Sequence, residues 1–277
     1  MRIVHFCAGL EQWNGMANTA RQFVDEERAK GDDSQLTNEI RAITGGVDQV
    51  VIHGAWLPVL WKVAKRAKKI GAKLIIRPAG SYDPVRLAYH GWKKRLVAPY
   101  EHRMLRRADV LLTTCNAEAD WIKSYEPKVK SIEITDLKRF FNLNPVNPAN
   151  PIQKSLRLLY LGRRHPLKGL EFLEDALTQL NDIVPYEFRV VSNAFGDELE
   201  KVWDWCDVLV LPTLSENFGR VIAEALERGK RVITTDGAPA WGDGNTYGGR
   251  LTYLCGYRDG TPEERVRLLS NTIKALL

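Results

Sequence analysis

Two carboxylates eight residues apart, Glu216 and Glu224, and two cations five apart, Arg163 and Lys168, are suited by kind and by separation to act on one ligand. Eight helical residues would separate the carboxylates by roughly 12 Å. That is too far for a close acid/base pair, so they are read as touching different parts of one long ligand. Arg163 and Lys168 flank a glycine loop at a helix start, where two cations can neutralise a diphosphate and stabilise it as a leaving group. His53 ends a strand and so faces the crevice where ligands of open α/β sheets bind. Blander readings compete: Thr213-Leu-Ser-Glu216 is a capping box on its own terms, Glu224 could pair with Arg228 one turn on, and a strand-end histidine can be a satisfied core residue.

Hydrophobic pattern gives the strands and helices that hold these residues. Residues 208–211 are an apolar run of the buried-strand kind, ended by Pro212. Residues 219–228 carry apolar side chains at helical spacing, Gly229 closes the turn, and 232–234 begin the next strand. A strand leading through a loop into a helix aims free backbone N–H groups and the positive helix pole at one point, a place for an anion. The same strand, glycine loop and helix unit is predicted twice more. Strand 2–8 leads past Gly15 into helix 16–30, with Asn14 as its cap, and strand 156–161 leads past Arg163. Strands are also predicted at 49–53, 73–76, 110–113 and 188–192, with helices at 57–70, 198–206 and 262–277. Three prolines among asparagines, Pro145, Pro148 and Pro151, mark a linker.

These motifs carry a resemblance. Glu216-Asn-Phe-Gly-Arg-Val-Ile-Ala-Glu224 resembles the E-x7-E motif of the retaining GT-B glycosyltransferases of the GT4-like group, and Ala-Pro-Ala-Trp241 is similar to the proline and tryptophan that come after it there. Arg163 and Lys168 match the R-x4-K of that family, and His53-Gly-Ala-Trp56 its H-G-x-W. Arg77-Pro-Ala-Gly-Ser-Tyr-Asp-Pro84 resembles the P-R-G-x-x-x-P loop of a polysaccharide-building subgroup, with the Arg before the Pro instead of after it. Gly91-Trp-Lys-Lys-Arg95 and the Leu-Arg-Arg-Ala-Asp ending at Asp109 extend that likeness.

The resemblance implies an α/β protein of the GT-B fold, two Rossmann-like domains facing across a cleft, in a compact version. Roughly one βα unit is expected to be missing from each half, near 32–48 and 192–198. It implies an acceptor-binding domain at 1–150 and a nucleotide-sugar domain at 151–277, with the terminal helix crossing back onto the first. The implied donor is a nucleotide-diphosphate sugar, a UDP-sugar first, moved as a hexose with retention to a saccharide acceptor of bacterial surface polysaccharide or lipopolysaccharide. Glu224 would accept the ribose hydroxyls. Glu216 and the N–H groups of Asn217, Phe218 and Gly219 would hold the sugar and phosphate, with Gly15 approaching the phosphate from the other half. Arg163 and Lys168 would offset the leaving charge, and His53 would orient a sugar or acceptor hydroxyl. Trp56, Arg77 and Ser81 are the implied acceptor contacts. No Asp-x-Asp occurs, so no metal and no cofactor beyond the donor is expected.

Composition bounds the alternatives. A chain of 277 residues, 44% hydrophobic and 27% charged, has ample length for buried cores and is ordinary for a soluble protein. Cys7, Cys115, Cys206 and Cys255 have neither metal nor disulfide spacing. The start lacks a signal peptide pattern and no run is long enough to span a membrane, so a cytoplasmic location, peripheral at the inner membrane face, is expected. Of the net charge of +6, residues 57–107 carry +12, from fourteen Lys/Arg against Asp83 and Glu101. Such a face suits an anionic membrane surface, with Trp61, Trp92 and Tyr100 as anchors, or a nucleic acid. The rival functions are a glycosyltransferase that decorates phage or cellular DNA, and a sugar-nucleotide epimerase or non-catalytic binding module on the same fold.

Overall fold

The computed structural model describes residues 1–11, 15–89, 91–143, 155–180, 183, 185–192 and 194–276. The candidate cap Asn14 and the linker prolines 145, 148 and 151 lie outside them, as does the last residue of the expected helix 262–277.

The chain divides into two compact units, Met1–Asp136 and Leu137–Leu277. The division falls before the proline stretch because residues 137–143 already pack against the second unit. The Phe141 ring lies 5.9 Å from that of Phe218, Lys138 pairs with Asp243 at 2.6 Å, and the Asn142 amide donates to Glu227 at 3.0 Å.

The first unit runs β1 (Arg2–Cys7), α1 (Gly15–Ala29), β2 (Asp33–Thr37), β3 (Gln49–His53), α2 (Pro58–Lys69), β4 (Lys73–Arg77), α3 (Pro84–Ala88), α4 (Gly91–Arg107), β5 (Val110–Thr113), α5 (Asn116–Tyr125) and β6 (Ile132–Ile134). Its strands are all parallel, in the order β2-β1-β3-β4-β5-β6. The central strands read as unbroken apolar runs because helices cover both faces of a parallel sheet. α2 turns Leu60, Val63, Ala64 and Ala67 onto the core at three- and four-residue spacing, and Arg66, Lys68 and Lys69 sit where its dipole is negative.

The second unit runs β7 (Leu156–Leu161), α6 (Leu170–Thr178), β8 (Tyr186–Val191), α7 (Asp197–Trp205), β9 (Val208–Leu211), α8 (Arg220–Glu227), β10 (Arg231–Thr235), β11 (Leu251–Leu254) and α9 (Pro262–Lys274). Its sheet is also parallel, ordered β11-β10-β9-β7-β8. The order in which strands are added reverses once in each sheet, between β1 and β3 in the first unit and between β7 and β9 in the second. The loops beyond the carboxyl ends of those pairs are where such sheets bind ligands.

Two expectations change. The stretch 32–48 keeps its strand, β2, and lacks only a helix, which a three-residue 3-10 turn at Ile40–Ala42 replaces. The terminal helix, expected to cross back, packs in its own unit: α9, capped by Thr261 and Glu264, turns Val266, Leu269 and Ile273 into the core that α6 enters with Leu173, Ala176 and Leu177. The Ser270 hydroxyl adds a bond to the Ala176 carbonyl at 3.0 Å. Its apolar face is therefore taken up within the second unit.

Candidate active site

In the second unit, three loops leave the carboxyl ends of the adjacent strands β7, β9 and β10 and lock onto one another. The Leu167 carbonyl accepts from the Leu214 amide at 2.9 Å and the Thr213 hydroxyl at 3.0 Å, and the Thr235 hydroxyl donates to the Thr213 carbonyl. Gly169 makes this possible. At φ 65° it is left-handed, and a Cβ there would stand 2.0 Å from the Pro212 carbonyl oxygen.

This locking brings Lys168 to Glu216, and the two side chains form an ion pair, each 17% exposed. The Asn217 amide donates to Glu216 Oε1 at 3.0 Å, and the Glu216 amide to the Gly237 carbonyl at 2.7 Å. Thr213 is therefore not the capping residue of α8. That place belongs to Gly219, also left-handed, where a Cβ would press on Glu216 Cγ at 3.1 Å and Ile222 Cδ1 at 3.0 Å. Arg163, on the same loop as Lys168, is exposed, and its guanidinium makes no ion pair among the described residues.

Glu224 lies one turn into α8. Burial pushes its carboxyl above the usual range, against the pull of Arg220 and Arg228, and Arg220 Nε lies 3.6 Å away. Its expected bland partner Arg228 turns instead to Glu200 at 2.7 Å. Phe218 is buried, with its ring 5.3 Å from that of Trp241, whose indole N–H donates to the Phe218 carbonyl. Trp241 thus fixes the peptide between Glu216 and Gly219.

In the first unit, Gly15 opens α1 beyond β1, and His53 ends β3 beside Cys7 in register. His53 is 1% exposed, not open to the crevice edge as its strand-end position suggested. A chain of bonds holds it: Glu27 Oε2 lies 2.8 Å from His5 Nε2, and His5 Nδ1 lies 2.9 Å from His53 Nε2. With both rings neutral, the carboxylate makes His5 Nε2 a donor, His5 Nδ1 then accepts, and His53 Nε2 carries the proton. His53 Nδ1 is left with its lone pair, buried and without a hydrogen-bond partner among the described residues. Burial first, then His5 and Arg77, holds the His53 pKa well below the ordinary imidazole value.

Arg77, at the end of β4, is likewise buried and stands opposite His53 in register. Trp56 adopts φ 67°, uncommon for a bulky residue. Its amide donates to Glu101 at 3.1 Å and its indole to the Ser81 carbonyl at 3.2 Å, while the Ser81 hydroxyl turns back to the Pro78 carbonyl.

Two residues behind this arrangement were not singled out from sequence. Glu101 is fully buried and accepts from the Trp56 amide, from the Trp61 indole at 2.6 Å and from the Tyr82 hydroxyl at 2.5 Å. Glu118 accepts from the Gly80 amide at 2.6 Å and from both the amide and the hydroxyl of Thr114. Between them they fix the 77–84 loop. In the sequence Glu101 stood out only as one of two acids among fourteen cations; what it reaches is far away in sequence. Among the described residues no three His, Cys, Asp or Glu side chains gather as a metal ion would require, and no helix is long and apolar enough to cross a membrane.

Residues 14–131 match the model of the glycosyl transferase 4-like domain family. An uncharacterized 41.2 kDa protein in the cps region of Klebsiella pneumoniae is 21% identical over 174 residues, 52% of this chain and 48% of that protein, so the chain spans about half the length of the curated relative it matches. Among solved structures, a sucrose-phosphate synthase from Thermosynechococcus elongatus superposes with a TM-score of 0.72 at 15% identity, over 100% of this chain and 90% of that one. Anabaena HepE in complex with UDP-glucose gives 0.63 at 14%, covering 100% and 92%. A lipopolysaccharide outer core galactosyltransferase gives 0.61 at 14%, covering 99% and 91%. At these identities the likeness shows the fold, which is GT-B.

Proposed function

We propose, since the chain carries a GT-B-fold glycosyltransferase domain related to the glycosyl transferase 4-like family, that it moves a hexose-type sugar from a UDP-sugar to a saccharide or glycolipid acceptor in bacterial surface polysaccharide or lipopolysaccharide assembly. The observation that supports this reading is the second unit's trio of interlocked loops at the carboxyl ends of β7, β9 and β10, which brings Lys168 to Glu216 just before α8, with Arg163 exposed on the loop that carries Lys168. The similar protein from a cps region and the structural likeness to a lipopolysaccharide outer core galactosyltransferase support the acceptor class.

In this reading the diphosphate approaches the α8 N-terminus, and Lys168 exchanges part of its contact with Glu216 for a phosphate oxygen. Arg163 supplies the second positive charge. Both matter most as the bond to the sugar breaks, because the departing diphosphate gains charge only then. Glu216, released from Lys168, accepts from donor-sugar hydroxyls, and Glu224 accepts the ribose pair. Attack on the face the leaving group vacates, through an oxocarbenium-like state, gives retention.

A thermal-shift panel of UDP-, GDP- and ADP-sugars tests the donor, since a ligand of the folded state raises Tm. UDP-sugars are expected to raise it in the wild type and not after Arg163→Ala, Lys168→Ala or Glu216→Ala. No shift with any of the three classes would overturn the reading. With no acceptor present the sugar should be recovered unchanged; its conversion would identify an epimerase instead.

A further inference from the structure

α4 is built unlike the other helices of the first unit. Its buried residues are Glu101, Met104 and Leu105, all in the second half, so the ten residues from Gly91 to Tyr100 bury no side chain completely. Pro99 lies at the change, where it removes one backbone hydrogen bond of the helix. On the outer side, Trp92, Leu96 and Tyr100 recur at every fourth residue and are 63%, 71% and 61% exposed. Leaving three large apolar side chains in water along one stripe is costly unless something covers them.

The flanks of the stripe are cationic. Lys93, Arg95 and Arg103 are exposed, with Lys93 Nζ 5.5 Å from the Trp92 ring centre. Of the other cations of the basic segment, Lys68 is held by Asp109, Arg66 by the Ile43 carbonyl and Arg106 by Glu126, while Lys62, Lys65 and Lys69 on α2 are exposed and add to the positive surface of this unit. Trp61, an expected anchor, is turned inward to Glu101. Beneath the raised half-helix lies a cavity of about 760 Å³ lined by Trp56, Leu87, Trp92, Lys94, Arg95 and Tyr125 among others. Lys94 is held there by the Arg86 and Tyr89 carbonyls, and burial draws its pKa down.

From these observations we infer that the first half of α4 is a membrane-docking device: Trp92, Leu96 and Tyr100 enter the headgroup layer of an anionic bilayer, and the cavity behind them receives the phosphate of a lipid. Apolar side chains with a cationic border are the combination such a surface holds, the former by burial and the latter by attraction to lipid phosphate. A nucleic acid would use the cations alone and gain nothing from an exposed leucine. The position of the cavity, walled by a residue three beyond the end of β3, sets the lipid phosphate beside the first unit's crevice. This deepens the glycolipid side of the function proposed above.

Co-sedimentation of the full chain with phosphatidylglycerol and with phosphatidylcholine vesicles tests it. Wild type is expected to bind the anionic vesicles at least ~10-fold more tightly, since each cation near such a surface contributes roughly 5-fold. Leu96→Asp and Arg95→Glu should each weaken that binding by about 10-fold. Both side chains point to solvent, so Tm and the response to UDP-sugar should be unchanged. A failed vesicle assay with an intact donor response therefore overturns only the docking surface. Equal binding to both vesicle types overturns it, as does full retention by Leu96→Asp. Duplex DNA retention at matched salt that Arg95→Glu abolishes, with vesicle binding undiminished, also overturns it.

Discussion

The two units treat their carboxylates in opposite ways. In the first, Glu101 and Glu118 are buried and saturated with donors from the protein itself, and Glu27 holds His5. In the second, Glu216 and Glu224 remain partly exposed at the loop and first turns of α8, and their partners are cations within reach of solvent. A saturated buried carboxylate holds a scaffold and has nothing left for a ligand. An ion pair that keeps some contact with solvent can be exchanged, because water or a phosphate replaces the lost partner. The first unit therefore stores its charge in architecture, and the proposed function asks the second to keep its charge exchangeable.

The largest effect should come from exchanging roles across this divide. Lys168→Ala and Glu216→Ala should each lower sugar transfer by about 10²- to 10³-fold, the usual loss when one group facing transition-state charge is removed. Stability should change by no more than about 1 kcal/mol, because the pair is reached by solvent. Transfer assays beside urea unfolding check both halves; a variant that lost stability instead of activity would place the pair with the scaffold.

Glu101→Ala should do the reverse. It strands the Trp56 amide, the Trp61 indole and the Tyr82 hydroxyl, with an expected loss of about 3 kcal/mol. Tyr82, whose hydroxyl pKa is raised chiefly by burial and then by Glu101, should become easier to ionise in spectrophotometric titration. The donor-induced rise in Tm should persist, since Glu101 belongs to the other unit. Its disappearance would break the division of labour.

The same contrast explains what could be read in the chain. The strands β1, β3, β5, β7 and β9 are visible because each lies inside its sheet, covered on both sides, and so runs apolar. β2, β6 and β11, unmarked by any run, each form a sheet edge; Asp-Ser-Gln-Leu-Thr at β2 has one fully buried residue. The Lys168–Glu216 pair was within reach of the sequence because Arg163 and Lys168 share one loop, Glu216 and Glu224 share one loop and helix, and local spacing carries the signal. The buried contacts of Glu101 and His53 were not legible. Their partners come from 45 residues away for Trp56 and 48 for His5, separations that no periodicity encodes.

Acid should sharpen the comparison from the first unit's side. The folded protein holds His53 neutral below the ordinary imidazole pKa of about 6.5, whereas the unfolded chain takes up a proton near that value. The resulting stability is present above pH ~6.5 and is lost as pH falls through that value toward the depressed folded pKa, at up to about 1.4 kcal/mol per unit. Wild type should lose roughly 1 kcal/mol more than His53→Gln between pH 7.5 and 5.5 in urea titrations. Equal losses would mean that another group sets the acid sensitivity of this unit.

The smallest effect belongs to Glu224, which stands between the two behaviours: burial raises its pKa, yet about a quarter of its side chain remains exposed, at 26%. If it receives the ribose pair, Glu224→Gln keeps one oxygen acceptor and loses the charge, a difference of about 1 kcal/mol or roughly 5-fold in donor affinity. The maximal rate should stay near wild type, because the ribose is bound alike before and during bond breaking. Titration of UDP-glucose against its 2′-deoxy analogue reads this directly. Wild type should discriminate between them and the variant should not, whereas equal discrimination by both would return Glu224 to a structural pairing with Arg220 on α8.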